Sequence, residues 1–163
     1  MPRDRFAFAG LGLRHDAEGP AVPAEMVLRT SQRFAIVDLT AEVAERVIAA
    51  GVRTGVAHVH TSHTTTALVL NEKEPLLLQD LRRTLERLVP DGTSYAHDDI
   101  VRRGAAPDEP RNGAAHCRAL LLPSSQCLPI REGRLALGRW QSLFLVELDG
   151  PRRRTLRLTL TGR

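Results

Sequence analysis

The chain has 163 residues, enough for one domain with a sizeable hydrophobic core, and this length argues against a second independent domain. Its 42% hydrophobic and 26% charged residues are close to the average of globular proteins, which excludes a largely disordered or fibrous chain. The net charge is +4, but the basic residues are scattered and only 4% of the chain is aromatic, so nucleic-acid binding is disfavoured.

The cysteines and the N-terminal residues bear on the cellular compartment. Cys117 and Cys127 are too few for a disulfide framework and lack the Cys-x-x-Cys spacing of a zinc knuckle, so we expect reduced, partly buried thiols. The N-terminal residues contain no continuous apolar segment as long as a signal peptide or a membrane span requires. We therefore expect a cytoplasmic protein that does not associate with membranes.

The first 23 residues differ in composition from the rest of the chain. They are rich in glycine, proline and charge and lack periodicity, so residues 1–23 are expected to be an extended or partly ordered segment. A single domain is predicted over residues 24–163.

The first half of this domain shows alternating strand and helix patterns. The predicted elements are two strands, a helix and two further strands, at 26–30, 34–38, 40–50, 55–62 and 64–71. Thr40 is predicted to cap the helix, and Gly51 to end it.

The second half begins with the clearest helical pattern of the chain. Leucines recur at helical spacing between Pro75 and Pro90, which predicts a helix between the two prolines. Residues 91–114 are polar and are expected to form a long functional loop. A short helix over 115–122 is followed by β structure in SQCLPI, REGRLALG, WQSLFLVEL and RTLRLTLTG. Because strands and helices lack a βαβ rhythm, we predict an α+β domain with an antiparallel β-sheet or sandwich and flanking helices.

Three histidines lie close together in the stretch AHVHTSHTTTALVLNE. His58 and His60 are predicted to share one face of a strand, whereas His63 lies at the turn into the next strand. A His-x-His pair can chelate a divalent ion through neutral imidazoles, but it is also an ordinary polar strand face. From spacing alone we favour the ordinary strand face, because short histidine motifs often occur by chance.

Two further histidines lie in the polar segments YAHDD and NGAAHCR. His97 and His116 could join His63 in a metal or acid–base site, with Asp98 and Asp99 as carboxylates that orient the imidazoles. The alternative for each histidine is a partly exposed side chain in a polar loop.

Several other polar residues have both a functional and a structural interpretation. Glu72 could be a general acid or base, and Asp80 could support a metal or pair with Arg83 on a surface helix. Ser124 and Ser125 follow a proline and could bind an anion or form a simple turn.

The only tryptophan, Trp140, is expected to pack in the core at the start of a strand, and Gln141 to make a polar contact. No nucleophile elbow, P-loop or dinucleotide fingerprint occurs in the sequence. The usual sequence support for a serine hydrolase, a nucleoside triphosphatase or a Rossmann oxidoreductase is therefore missing.

Several motifs occur in order between Gly51 and Gly162, namely HTTTALVLNE, ERLVPDG, YAHDD, NGAAHCRALLLPSSQCLPI and REGRLALGRWQSLFLVELDGPRRR. Together they resemble the YjbQ family, also named secondary thiamine-phosphate synthase. The resemblance implies an antiparallel α+β fold and a homotrimer with sites at or near subunit boundaries. It also implies a weak reaction that joins an aminopyrimidine diphosphate to a thiazole phosphate and releases pyrophosphate.

The resemblance further implies a polar pocket. Its positions in this chain are His63, Asn71, Glu72, Asp80, His97, His116, Trp140 and Gln141. Lys73 stands where many relatives have an asparagine, and His58 and His60 match no position of the pocket.

We therefore predict a small enzyme-like protein that acts on a phosphorylated or otherwise anionic small molecule. The predicted catalytic residues are His63, Glu72, Asp80, His97 and His116. The predicted ligand-binding residues are Asn71, Asn112, Ser124, Ser125 and Gln141. A divalent metal, zinc or magnesium, is predicted at His63, His97 and His116, and no organic cofactor is expected. One alternative is a non-catalytic module that binds a metabolite or a metal, and another is weak nucleic-acid association through Arg152, Arg153 and Arg154.

Overall fold

A computed structural model describes residues 22–163, which form eight strands, four α-helices and one 3₁₀ turn at Ala96–Asp98. The strands are β1 (Val22–Arg29), β2 (Ala35–Asp38), β3 (Gly55–Thr61), β4 (Thr66–Asn71), β5 (Ser125–Arg131), β6 (Arg134–Leu135), β7 (Ser142–Glu147) and β8 (Arg153–Gly162). The helices are α1 (Thr40–Ala50), α2 (Pro75–Leu88), α3 (Ile100–Arg103) and α4 (Gly113–Leu120). Residues 1–21 of the predicted N-terminal segment lie outside the described part of the chain.

The strands form two antiparallel sheets. The larger sheet has the order β1-β8-β3-β5-β6, and the smaller sheet has the order β2-β7-β4. In the larger sheet the first and last strands are neighbours, with Val22 opposite Leu160 and Arg29 opposite Arg153. The predicted α+β fold with antiparallel sheets is therefore confirmed.

Strand β7 is buried on both of its faces because successive side chains of a strand point in opposite directions. Leu143 and Leu145 belong to the main core between the two sheets, which α1 closes with Val43 and Val47. Val146 belongs to a second apolar cluster between the smaller sheet and the helices α2 and α4. The chain is thus built in layers, with the smaller sheet between the larger sheet and these two helices.

Helix α1 begins and ends where the sequence predicts, but Thr40 is not its cap. Thr40 is the first helical residue, and the capping position is held by Leu39, whose side chain makes no capping bond. The carboxylate of Asp38 instead accepts the backbone N–H of Thr40 at 2.8 Å and its hydroxyl at 2.6 Å. Gly51 ends the helix in a left-handed conformation, with φ of 69°, as predicted.

The polar segment 91–114 was predicted to be one long loop, and this prediction is wrong. The segment contains the 3₁₀ turn, α3 and the start of α4. The side chain of Asp99 caps α3 by accepting the N–H of Arg102 at 3.0 Å, and Gly104 ends it with φ of 63°. The 3₁₀ turn and α3 each have only about one turn, and elements this short are specified by their end residues rather than by an apolar stripe. Hydrophobic periodicity therefore did not predict these two elements.

Three side chains are more exposed than predicted, namely Trp140, which was expected in the core, and two cysteines, which were expected to be partly buried. Trp140 is 61% exposed and precedes β7, and the guanidinium carbon of Arg139 lies 4.7 Å from its ring centroid. Cys117 and Cys127 are both exposed, and Cys127 lies on the outer side of β5, where it alternates with buried Leu128. Among residues 22–163, no helix combines the length and the apolar content that a membrane crossing requires.

Candidate functional site

The structure brings His97 and His116 into contact. His97 lies on the 3₁₀ turn, and His116 is the fourth residue of α4. Their ring centroids are 4.7 Å apart and their planes are inclined by 64°, which is an edge-to-face contact. Two of the three histidines predicted to form one site are therefore neighbours.

Hydrogen bonds fix the 3₁₀ turn against the start of α4. Asp98 Oδ1 accepts the backbone N–H of Gly113 at 2.8 Å, and Arg103 Nη1 donates to the carbonyl of His97 at 3.0 Å. Gly113 is needed here because a Cβ atom at this position would lie 2.5 Å from the Cβ of Tyr95. The relative positions of His97 and His116 therefore depend on a glycine that allows close approach.

The Gly113→Ala variant tests this dependence. The added methyl group is expected to push the 3₁₀ turn away from α4, which would lower the free energy of unfolding by about 1–3 kcal/mol. The two imidazoles would separate, so nuclear Overhauser effects between the rings of His97 and His116 should weaken. Urea unfolding and these ring-to-ring effects are the measurements.

Gly138→Ala is the matched control for this variant. A Cβ atom at Gly138 would meet only the flexible side chain of Gln141, at 3.3 Å. We expect stability and ring contacts close to those of the wild type. Equal behaviour of the two variants would contradict the role given to Gly113.

A second connection runs from α4 to the end of β7. Asn112 Nδ2 donates to Asp149 Oδ2 at 2.7 Å, and Arg152 Nη2 donates to the same oxygen at 2.8 Å. Asn112 and Asp149 are both buried. The carboxylate of Asp149 lies near enough to act on the charge of His116.

The environment of His116 favours the neutral imidazole. Burial lowers the pKa of His116 from its ordinary value of 6.5, and the neighbouring His97 and Arg103 lower it further, against the opposing charges of Asp149 and Asp98. His116 is therefore neutral at pH 7 and can accept a proton from a bound molecule.

A buried ion pair lies between the two sheets beside this region. Arg154 donates to Glu147 through two bonds, Nε to Oε2 at 2.7 Å and Nη2 to Oε1 at 2.6 Å. Thr30 donates to Glu147 at 3.0 Å, and Thr65 accepts from Arg154 at 3.0 Å. Glu147 Oε1 also accepts the backbone N–H of Asp149 at 2.8 Å, so the pair is connected to the histidine region.

His63 lies near this ion pair, whose two charges both act on its imidazole. Its Nε2 atom accepts the backbone N–H of Thr155 at 2.8 Å, which leaves the ring proton on Nδ1. Burial and the charge of Arg154 lower the pKa of His63, against the opposing charge of Glu147. The Nε2 atom of His63 is therefore already engaged and helps to hold β8 in place.

The described part of the chain does not assemble the predicted metal site by itself. Within residues 22–163, no group of three or more His, Cys, Asp or Glu side chains is arranged to hold an ion. Catalytic zinc sites take three protein ligands and structural ones take four. An ion at His97 and His116 would require a further ligand from outside these residues, and the metal site stays a prediction.

The remaining predicted residues make other contacts. Asp80 lies on the exposed side of α2, 67% exposed, and pairs with Arg83 at 3.3 Å, which was the structural alternative for it. Asn71 Oδ1 accepts the backbone N–H of Glu72 at 2.8 Å at the end of β4. Of the predicted residues, Asn112 contacts the histidine pair, because its carbonyl accepts the backbone N–H of His116 at 3.2 Å. Asp80 instead forms an exposed salt bridge with Arg83.

Two predicted ligand-binding positions have structural roles in turns. The carbonyl of Ser124 accepts the N–H of Thr61 at 2.9 Å, and Gln141 Oε1 accepts the N–H of Gly138 at 2.8 Å. Ser125 is the first residue of β5 and lies opposite His60 on β3.

His58 and His60 share one strand face, as predicted. Their rings are stacked, with centroids 6.4 Å apart and planes inclined by 8°.

Sequence reasoning missed Glu147, Asp149 and Arg154 as members of the polar network. A signal for Arg154 was present, because it lies at even spacing before Leu156 and Leu158 and must point to the same buried face. Glu147 ends an otherwise apolar strand, which is another sign of a paired buried charge. Arg154 is also buried rather than part of an exposed basic run for nucleic acid.

Known proteins of similar sequence and structure cover most of the chain. Residues 24–163 match the model of the UPF0047 protein YjbQ-like family. A UPF0047 protein of Methanothermobacter thermautotrophicus is 40% identical, over 85% of this chain and 91% of its own. One of Archaeoglobus fulgidus is 43% identical, over 80% of this chain and 94% of its own.

A solved structure agrees with these relatives. A YbjQ-like protein of unknown function from Sulfolobus solfataricus has a TM-score of 0.80 and 32% identity, and the match covers 88% of this chain and 99% of that one. Sequence and fold thus agree over the same part of the molecule, and the chain belongs to the YjbQ family.

Proposed function

We propose that this protein is a small enzyme that binds a phosphorylated or otherwise anionic small molecule beside His97 and His116. The observation that carries the proposal is the contact between these two imidazoles, one of which is neutral at pH 7. A pair of imidazoles next to carboxylates can accept a proton from a bound molecule and return it.

Nearby arginines support an anionic ligand. Arg103 donates to the carbonyl of His97, and Arg152 donates to Asp149. Both side chains remain partly exposed, at 31% and 40%. They can therefore reorient toward a phosphate group and stabilise the negative charge of a departing group.

The reaction that we propose to test first is the one implied by the family resemblance. It joins an aminopyrimidine diphosphate to a thiazole phosphate and releases pyrophosphate. The bond that breaks lies between the pyrimidine methylene carbon and the diphosphate oxygen, and the bond that forms joins this carbon to the thiazole nitrogen. In the proposed step His116 takes a proton from the pyrimidine amino group as the diphosphate departs and returns it when the new bond forms, so that no proton is gained or lost overall. Such a step needs stabilisation of an anionic leaving group, which the arginines could provide.

Purified protein is to be incubated with both precursors and magnesium, and both thiamine phosphate and pyrophosphate are to be measured. We expect slow formation of the two products in equal amounts. Pyrophosphate released without the thiazole phosphate would show hydrolysis rather than transfer. Thermal stabilisation by the precursors without any product would favour the non-catalytic binding module.

Oligomerisation and metal binding belong to the same proposal. The family resemblance implies a homotrimer with sites at or near subunit boundaries, and we propose that another subunit covers the exposed Trp140 and supplies the missing ligand for a divalent ion at the histidine pair. The partners proposed are therefore a small anionic molecule and two further copies of the chain.

A further inference from the structure

Helix α2 leaves a cavity between itself and the smaller sheet. The cavity has a volume of about 140 Å³. It exists because α2 packs loosely: its leucine stripe faces the sheet, yet no residue of the helix is fully buried. It is separate from the histidine pair, whose residues do not line it.

The cavity wall is almost entirely apolar. Seven of the nine lining residues are apolar. The sheet and the helix contribute most of them, namely Ile36, Val69, Phe144, Val146, Leu81 and Leu85. The two polar lining residues are Asn71 and Thr84.

A cavity of this size and chemistry suits a small apolar molecule better than water. A buried water needs two to four polar partners, whereas apolar cavities of about 150 Å³ stay dry and bind benzene. The geometry points to a binding site for a small neutral aromatic molecule, roughly the size of one substituted benzene ring, between α2 and the smaller sheet.

Asn71 adds a preference for a hydrogen-bond acceptor on that molecule. Its Oδ1 atom is engaged by the backbone N–H of Glu72. Its Nδ2 atom makes no hydrogen bond within residues 22–163 and belongs to a residue that lines the cavity. A ligand with one acceptor group at the ring edge can therefore receive a hydrogen bond from Asn71.

The proposal is tested by titrating the full chain with toluene and with benzonitrile, which have similar size but differ in acceptor capacity. Both are expected to bind, with benzonitrile about fivefold tighter because of one hydrogen bond. The Asn71→Leu variant should bind toluene and lose the preference for benzonitrile. Dissociation constants are measured from chemical shifts in NMR spectra.

A matched pair of leucine variants locates the site. Leu85→Phe fills the cavity and is expected to weaken toluene binding about tenfold or more. Leu88→Phe makes the same change at a position that is 64% exposed on the same helix, and binding should not change.

A measurement on the wild type keeps the proposal testable if Leu85→Phe does not fold. Nuclear Overhauser effects should connect toluene protons with the methyl groups of Val146 and Leu85. The proposal would be overturned if toluene does not bind, or if the two leucine variants bind it equally. It would also be overturned if toluene shows nuclear Overhauser effects only to residues that do not line the cavity. Toluene binding that disappears as the protein concentration rises and the chain self-associates would also overturn the proposal, because a second copy of the chain would then occupy the cavity.

Discussion

The Glu147→Leu variant is expected to lose about 3–5 kcal/mol of the free energy of unfolding. Glu147 is fully buried, and the Arg154 side chain that it pairs with is 5% exposed. Removing the carboxylate would leave a guanidinium group in the interior with Thr65 as its one side-chain partner among residues 22–163. Since natural domains have about 5–15 kcal/mol of stability in total, this loss should be plain in urea unfolding.

A double variant distinguishes two contributions to the free energy of unfolding: the loss caused by an unpaired buried charge, and the stabilisation that the ion pair itself provides. Glu147→Leu combined with Arg154→Met replaces both groups by apolar side chains of similar size and should recover most of the lost stability. The exposed pair of Asp80 and Arg83 is the control, because Asp80→Ala should cost only about 0.5 kcal/mol or less. A double variant as unstable as the single one would contradict this account.

The same pair gives the protein an acid sensitivity. Burial opposes the charge of Glu147, but bonds from Arg154, the Asp149 backbone and Thr30 outweigh it and hold its pKa below the ordinary value of 4.5. A lowered pKa in the folded state means that the ion pair stabilises the fold above pH 4.5. This contribution is lost as the pH falls from 4.5 through the lower pKa of the folded protein.

The second large effect is expected in catalysis. If the proposed reaction occurs, His116→Asn should reduce kcat/KM by about 10²- to 10⁴-fold, which is the usual contribution of a general base. The lowered pKa of His116 means that the wild-type kcat/KM should rise with pH as the imidazole loses its proton, with the midpoint of this rise below pH 6.5. The residual rate of the variant should lack this rise.

His58→Asn is the matched control, since it makes the same change at an exposed histidine outside the pair. Its rate and pH profile should equal those of the wild type. A His116→Asn variant with wild-type kcat/KM would remove His116 from the mechanism. A proportional loss in both variants would indicate a general effect of histidine replacement.

The fold was largely predictable because its elements carry local signals. The leucine spacing of α2 lies between two prolines, and β8 alternates between threonine or arginine and leucine. The short helix α3 was missed because one turn is too short to show periodicity. The exposure of Trp140 was missed because pattern alone cannot show that the strand begins two residues later, at Ser142.

The candidate site was predictable only in part. His97 and His116 stood out as histidines in polar segments, but their contact depends on Gly113, which lets two segments approach closely. His63 lies in a conspicuous motif, yet its Nε2 atom is used by the backbone of Thr155, 92 residues away. Such long-range partners leave no trace in the local sequence.

The order of strands in the larger sheet has a consequence for synthesis of the chain. β8 lies between β1 and β3, although within residues 22–163 β1 is the first strand to be made and β8 is the last. Until β8 leaves the ribosome, β1 has no partner in its sheet and β3 has only β5. The two halves of the sheet therefore join only after β8 has been made, and until then the nascent chain must keep two open strand edges from pairing with other proteins.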